Sequence, residues 1–113
     1  MVPIAKAAAS PPIAVICGSM RFYSRMLQVA ADLTLAGQIV VMPHCVVAEQ
    51  DQNGTTKGML DLLHRRKIDL ADYVVVVTDE KGYIGTSTAN EIAYATALGK
   101  AVEYRAVGDQ GPQ

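Results

Sequence analysis

The segment KGYIGTSTANEIAYA, residues 81–95, holds the residue types best able to do chemistry in this chain. It brings a glycine-rich turn and several hydroxyl groups to the start of a helix, and it sets one carboxylate, Glu91, just inside that helix. Unpaired backbone N–H groups and the helix dipole favour an anion at such a position. The segment could therefore hold a phosphate while its carboxylate attacks a sugar carbon.

The same residues also fit a purely structural role. Thr88 and Glu91 have the spacing of a capping box, in which an N-cap threonine and a glutamate three residues later each accept a bond from the other's backbone N–H. On spacing alone this capping role is favoured over catalysis for Glu91. The rest of the chain has to decide between the two.

The elements around this segment predict an α/β fold with a parallel sheet covered on both sides. Short apolar, β-branched runs predict strands, and apolar residues recurring at three and four predict helices between them. Short connections in such an alternation imply right-handed crossovers. The predicted strands are residues 13–19, 38–43, 71–79 and 101–105, and the predicted helices cover 20–37, 55–68 and a stretch that starts near Thr88 and stops at Gly99.

Two loops of this sheet are expected to share one rim. CGSMR follows the first strand and GYIGTST follows the third, and the carboxyl ends of parallel strands flank a common crevice. Their backbone, hydroxyl and guanidinium donors would suit a phosphate. Taken singly, Ser19 could equally be a helix cap and Arg21 a surface cation. The donors are Gly18, Ser19, Arg21, Gly85, Ser87 and Thr88.

The helix over residues 55–68, capped by Thr55 or Thr56, is expected to have one apolar face and one solvated, charged face. The inward residues are predicted to be Met59, Leu60, Leu63 and Ile68, and the outward ones Lys57, Arg65, Arg66 and Lys67.

Length and charge narrow the function classes. The 113 residues allow one domain, which we place at 13–105 between a flexible leader (1–12) and a flexible tail (106–113). A net charge of −1 argues against a nucleic acid polymer or an anionic membrane as partner, so a small molecule is expected. We expect a neighbouring copy of the chain to complete the active site of so small an enzyme.

The two cysteines indicate the compartment. Cys17 and Cys45 lack metal-ligand spacing and predict buried thiols in a reducing compartment, here the cytoplasm, with no metal or cofactor.

Three motifs in one order then carry a family resemblance: CGSMR, HRRKIDLADYVVVV and GYIGTSTANEIAYATALGK. With them the chain resembles the nucleoside 2-deoxyribosyltransferase superfamily, over residues 13–105. Within it, the chain looks most like the nucleoside 5′-monophosphate N-glycosidases, of the 2′-deoxynucleoside 5′-phosphate N-hydrolase and CMP N-glycosidase types. The last motif is the most specific.

The resemblance implies a Rossmann-like, flavodoxin-related three-layer sandwich with four or five parallel strands, dimeric or larger, that cleaves the bond between sugar and base. It makes Glu91 the nucleophile and Ser19, Arg21 and Ser87 the phosphate-binding residues. A helix start and bound cations should then hold the pKa of this carboxylate low.

One part of the resemblance departs from the family pattern. The acidic residue that assists the glutamate in the hydrolases falls here near His64, with Asp61 or Asp69 as substitutes. His64 or water could protonate the leaving base. Phe22 and Tyr83 could contact the sugar or base, but aromatic residues beside glycine turns serve equally well in a core.

Two alternatives stay open. A base-exchanging deoxyribosyltransferase should favour unphosphorylated nucleosides and lack the phosphate cradle. A non-catalytic nucleotide sensor would use Glu91 only as a cap. A pyrimidine base is favoured by the resemblance alone.

Overall fold

The computed structural model of the protein describes residues 10–44 and 54–106. Most of the predicted leader and tail, most of the connection at 44–54, and Cys45 lie outside the described residues. The elements in chain order are β1 (Ile13–Gly18), a 3-10 turn (Met20–Phe22), α1 (Tyr23–Leu35), β2 (Ile39–Val41), α2 (Thr55–Leu70), β3 (Tyr73–Thr78), α3 (Thr86–Ala97) and β4 (Ala101–Ala106).

The four strands form one sheet in the order β2-β1-β3-β4, and every neighbouring pair is parallel. The central pair, β1 and β3, is in register from Ala14 opposite Tyr73 to Gly18 opposite Val77. Both central strands therefore end at the same edge of the sheet. This confirms the predicted α/β fold with a parallel sheet, and its architecture is Rossmann-like.

The sheet is the middle of three layers. Because side chains alternate along a strand, β1 sends Ile16 to one face and Val15 and Cys17 to the other. The helix α1 packs on the Ile16 face, whereas Ile68 of α2 and Ala95 of α3 pack on the Cys17 face. The placement of α2 and α3 on the same face brings them together above the end of β1.

The start of α3 differs from the sequence prediction. Its N-cap is Gly85, in extended backbone conformation, and no side chain caps this end. The N–H of Ala89 already bonds the carbonyl of Gly85 at 3.0 Å, so the first helical turn closes three residues earlier than a Thr88 cap would allow. The capping-box interpretation of Thr88 and Glu91 is therefore wrong, and Glu91 does not cap the helix.

The other helix starts and β2 also differ in detail. The predicted helix over 20–37 divides into the 3-10 turn, capped by Ser19, and α1. The N-cap of α2 is Gly54 rather than a threonine. The strand β2 covers Ile39–Val41, shorter than the predicted 38–43.

The apolar, inward-facing side of α2 was predicted wrongly at two residues. Met59 and Leu63 are 50% and 48% exposed, whereas His64 and Ile68 are buried. Apolar residues occur on more than one side of this helix, including Leu62 at 54% exposure, so the apolar pattern did not determine which face packs on the sheet.

Candidate functional site

The turn after β1 forms the first rim of the site. A Cβ on Gly18 would lie 3.0 Å from the carbonyl oxygen of Val77, so glycine lets the ends of β1 and β3 approach closely. Ser19 follows and accepts a hydrogen bond through Oγ from the backbone N–H of Arg21, at 3.3 Å. Ser19 therefore is a cap, as one interpretation proposed, yet a capping hydroxyl can still donate its own hydrogen to a ligand.

The turn after β3 forms the second rim. The carboxylate of Asp79 accepts hydrogen bonds from the backbone N–H groups of Lys81 (2.9 Å) and Tyr83 (3.0 Å), and these contacts, that of Tyr83 first, lower its pKa. Gly82 has a φ of +79°, a conformation that glycine adopts without strain. The turn ends at Gly85, where the uncapped first turn of α3 begins.

A cavity of about 330 Å³ lies between these two rims and α2. This volume is at the lower end of the range for small-molecule sites, roughly 300–1,000 Å³. The predicted site residues that line it are Gly18, Ser19, Arg21, His64, Gly85, Ser87, Thr88 and Glu91. The turns after β1 and β3, which were expected to share one rim, therefore both line this cavity.

The helix α2 supplies a charged group that the sequence analysis missed. The ammonium of Lys57 donates to both carboxylate oxygens of Asp61, at 2.7 and 2.9 Å, and to Oγ of Ser87 at 3.1 Å. Both Lys57 and Asp61 line the cavity. The prediction that Lys57 lies on a solvated face is therefore wrong, and this cation stands beside the first turn of α3.

The inner end of the site is a cluster of Cys17, His64 and Glu91. The Sγ of Cys17 is 3.2 Å from Nε2 of His64, and that nitrogen is 3.7 Å from Oε1 of Glu91. One ligand-type atom from each of the three residues falls within 4.8 Å of the others. Cys17 was predicted to be a buried thiol and not a metal ligand, and no sequence signal placed it beside Glu91, because β1, α2 and α3 meet there only in three dimensions.

Burial controls the protonation of this cluster. Desolvation raises the pKa of Glu91 from 4.5 to about 7, and the nearby Asp61 adds to the rise, while the Cys17 hydrogen bond, Lys57 and Arg65 oppose it. Desolvation also lowers the pKa of His64 to about 4 and raises that of the Cys17 thiol. The predicted low pKa for Glu91 is wrong for the protein without ligand. Desolvation of the buried carboxylate raises its pKa by more than the helix start and the nearby cations lower it.

Three predicted site residues do not line the cavity. Asp69 accepts a hydrogen bond from the hydroxyl of Tyr94 at 2.7 Å and pairs with Nε of Arg66 at 3.1 Å. Phe22 is buried in the core and meets the ring of Tyr83 edge to face, with centroids 6.0 Å apart.

Tyr83 contacts the site residue Arg21. The guanidinium carbon of Arg21 lies 4.4 Å from the centroid of the Tyr83 ring, a cation–π contact. This contact holds the long arginine side chain on the rim, where it lines the cavity.

No family model matches this chain, and no curated protein matches it. In the part of the chain that the structure describes, no helix has both the length and the apolar character that crossing a membrane requires.

Proposed function

We propose that this protein hydrolyses the N-glycosidic bond of a nucleoside 5′-monophosphate, releasing the free base and the sugar 5-phosphate. The observation that carries the proposal is that the carboxylate of Glu91 lines the same cavity as the two donor-rich turns. A carboxylate that only capped its helix would have no reason to lie there.

The phosphate end of the substrate fits the outer part of the cavity. The first turn of α3 has N–H groups without a side-chain cap, and two cations line the cavity with it, Arg21 from the turn after β1 and Lys57 from α2. Ser19 and Ser87 add hydroxyl groups. Charge-assisted hydrogen bonds of this kind are the usual means of holding a phosphate.

The sugar then extends from the phosphate toward Glu91. Glu91 is four positions after Ser87 in α3, one turn further along the same face and about 6 Å along the helix axis at 1.5 Å per residue. In a sugar 5-phosphate the phosphate and the anomeric carbon are likewise several ångströms apart. A phosphate at the helix start would therefore set the anomeric carbon near the carboxylate.

The chemistry follows from that placement. The ionised carboxylate of Glu91 attacks the anomeric carbon as the bond to the base breaks, and it stabilises the positive charge that develops on the sugar. A glycosyl-enzyme ester results, and water then displaces Glu91 and restores it. The base leaves with one proton, which water supplies more readily than His64, because a pKa near 4 leaves that imidazole neutral at pH 7.

We further propose that the working unit is a cytoplasmic homodimer. Met59, Leu62 and Leu63 are each about half exposed, and they share one face of α2 beside Leu60, which lines the cavity. Apolar side chains at the mouth of a site suit coverage by a second copy. Light scattering of wild type and Leu63→Glu tests this, since the substitution should give monomers.

The test of the reaction is base release from a panel of ribo- and deoxyribonucleoside monophosphates, followed by chromatography. Glu91→Gln should abolish release, whereas the matched change Glu103→Gln, at an exposed residue of β4, should not. If base is released only when a second free base is added and takes its place on the sugar, the protein is a transferase instead. If the protein binds the nucleotide but leaves it intact, it is a sensor.

A further inference from the structure

We propose that Cys17, His64 and Glu91 form a binding site for a thiophilic divalent cation, with Zn²⁺ the best match. The three residues come from β1, α2 and α3, and their side chains converge on one point at the inner end of the cavity. This inference does not depend on the proposed hydrolysis, because it concerns the protein without nucleotide.

The spacing of the atoms fits a tetrahedral ion. Zinc bonds of about 2.3 Å to sulfur and 2.0–2.2 Å to nitrogen and oxygen put two tetrahedral ligands about 3.4–3.6 Å apart. The observed separations are 3.2 Å from Sγ of Cys17 to Nε2 of His64 and 3.7 Å from that nitrogen to Oε1 of Glu91. The third pair, Sγ of Cys17 and a carboxylate oxygen of Glu91, is within 4.8 Å, so side-chain movements of up to about an ångström would seat the ion.

Ligand type and charge also favour this ion. Thiolate, imidazole and carboxylate together suit zinc rather than magnesium or calcium, which prefer oxygen ligands. A thiolate and a carboxylate neutralise the two positive charges, so the buried cluster would carry no net charge. Cys17 is fully buried and His64 is 5% exposed, so these two ligands are largely removed from bulk water.

The cavity gives the ion an entry path and a fourth ligand. His64 and Glu91 line the cavity, whereas Cys17 lies behind them in the core. An ion entering from the cavity would meet the three side chains on its inner side and keep one open position toward solvent for water. Three protein ligands and one open position are the usual arrangement of zinc sites that exchange a ligand.

Occupation of this site would compete with the proposed hydrolysis. A Glu91 carboxylate bound to the ion can no longer attack a sugar, so zinc would inhibit base release and a chelator would restore it. This consequence rests on the proposed function. Metal binding itself is measured without substrate, so failure of either claim can be recognised independently of the other.

The experiment titrates the metal-free, reduced full-length chain with Co²⁺ as a spectroscopic substitute for Zn²⁺. We expect one equivalent to bind with a thiolate-to-cobalt charge-transfer band in the near ultraviolet and intense visible bands typical of tetrahedral geometry, and we expect Zn²⁺ to displace it. Cys17→Ser should remove the charge-transfer band. Cys45→Ser, the matched control at the other cysteine, should keep it.

Glu91→Gln provides a second, milder test, because glutamine keeps the shape of the side chain. Loss of a direct ligand should weaken binding by at least the roughly 10–100-fold seen when outer partners of a metal site are lost. Circular dichroism checks that each variant is folded. Absence of a bound equivalent, a band that survives Cys17→Ser, or a band that disappears with Cys45→Ser would each overturn the proposal.

Discussion

Nε2 of His64 lies 3.7 Å from Oε1 of Glu91, with side-chain exposures of 6% and 15%, and this contact joins α2 to α3 at the inner end of the cavity. The distance is within the range of an ion pair, but the protonation states argue against one. Burial moves the pKa of His64 down to about 4 and that of Glu91 up to about 7, so at neutral pH the imidazole is neutral. The two side chains are therefore close neighbours rather than an ion pair, and the pKa of Glu91 determines how much of the nucleophile is ionised.

The first prediction concerns the pH dependence of the proposed reaction. In chelator-treated protein, kcat/KM should rise with pH and level off above a midpoint near pH 7, because only ionised Glu91 can attack. Initial rates at low substrate concentration measure this directly. A profile already flat at pH 5 would show that the reactive group is not this buried carboxylate.

The second prediction concerns the loss of folding stability caused by ionising the buried Glu91. The folded-state pKa of Glu91 is raised from 4.5 to about 7, so the folded protein binds this proton more tightly than the unfolded chain does. The associated stability is present below about pH 4.5 and is lost as pH rises through 7. Glu91→Gln, which cannot ionise, should therefore be more stable than wild type at pH 8, by up to about 3 kcal/mol.

Urea unfolding at several pH values measures that difference in the free energy of unfolding. The gain from Glu91→Gln should shrink toward zero near pH 4.5, while Glu103→Gln shows no such trend. An equal difference at every pH would attribute the effect to packing rather than to charge.

The third prediction concerns His64, whose titration should lower the stability of the protein as pH falls rather than as pH rises. The folded-state pKa of His64 is lowered from 6.5 to about 4, so its contribution to stability is present above pH 6.5 and is lost as pH falls toward 4. Among the described residues Nδ1 of His64 also has no hydrogen-bond partner. His64→Leu removes both the titration and the unpaired nitrogen, so its stability should fall less than that of wild type between pH 6.5 and pH 4. Thermal unfolding across this range tests it, and parallel curves for the two proteins would contradict it.

The sequence predicted the loops of the site better than its helices. Gly18, Ser19 and Ser87 could be placed because parallel strands end at one edge of a sheet, a rule that needs only strand order. Lys57 and Cys17 could not be placed, because their contacts depend on which face of α2 packs and on the meeting of three elements. Apolar residues around α2 left its orientation open, and the extended Gly85 moved the start of α3 away from the expected Thr88 cap.

The fourth prediction tests the phosphate end through Arg21. Arg21→Ala should lower kcat/KM for monophosphates by tens to hundreds-fold, about 1–3 kcal/mol, because it removes a charge-assisted contact. Cleavage of the unphosphorylated nucleoside should change little. Arg66→Ala is the matched control, since Arg66 pairs with Asp69 away from the cavity. An equal loss of kcat/KM on both substrates would show that Arg21 does not bind the phosphate.

The last prediction concerns Lys57, which acts on both ends of the cavity. Its ammonium contacts Ser87 at the start of α3, and its charge lowers the pKa of Glu91. Lys57→Met should therefore weaken kcat/KM for monophosphates more than for nucleosides, and it should also move the midpoint of the pH profile to higher pH. The stability change should stay below about 1 kcal/mol, because the ion pair with Asp61 is partly exposed.

These two effects separate Lys57 from a merely structural lysine. A surface charge with no role in the site would change neither the midpoint nor the ratio of the two substrates, and Lys81→Met, at an exposed residue outside the cavity lining, is expected to behave that way. If Lys57→Met lowered both rates equally and left the midpoint in place, the lysine would serve only to hold α2 against α3. A shift of the midpoint together with selective loss on monophosphates can arise only if one cation influences both the phosphate and the carboxylate.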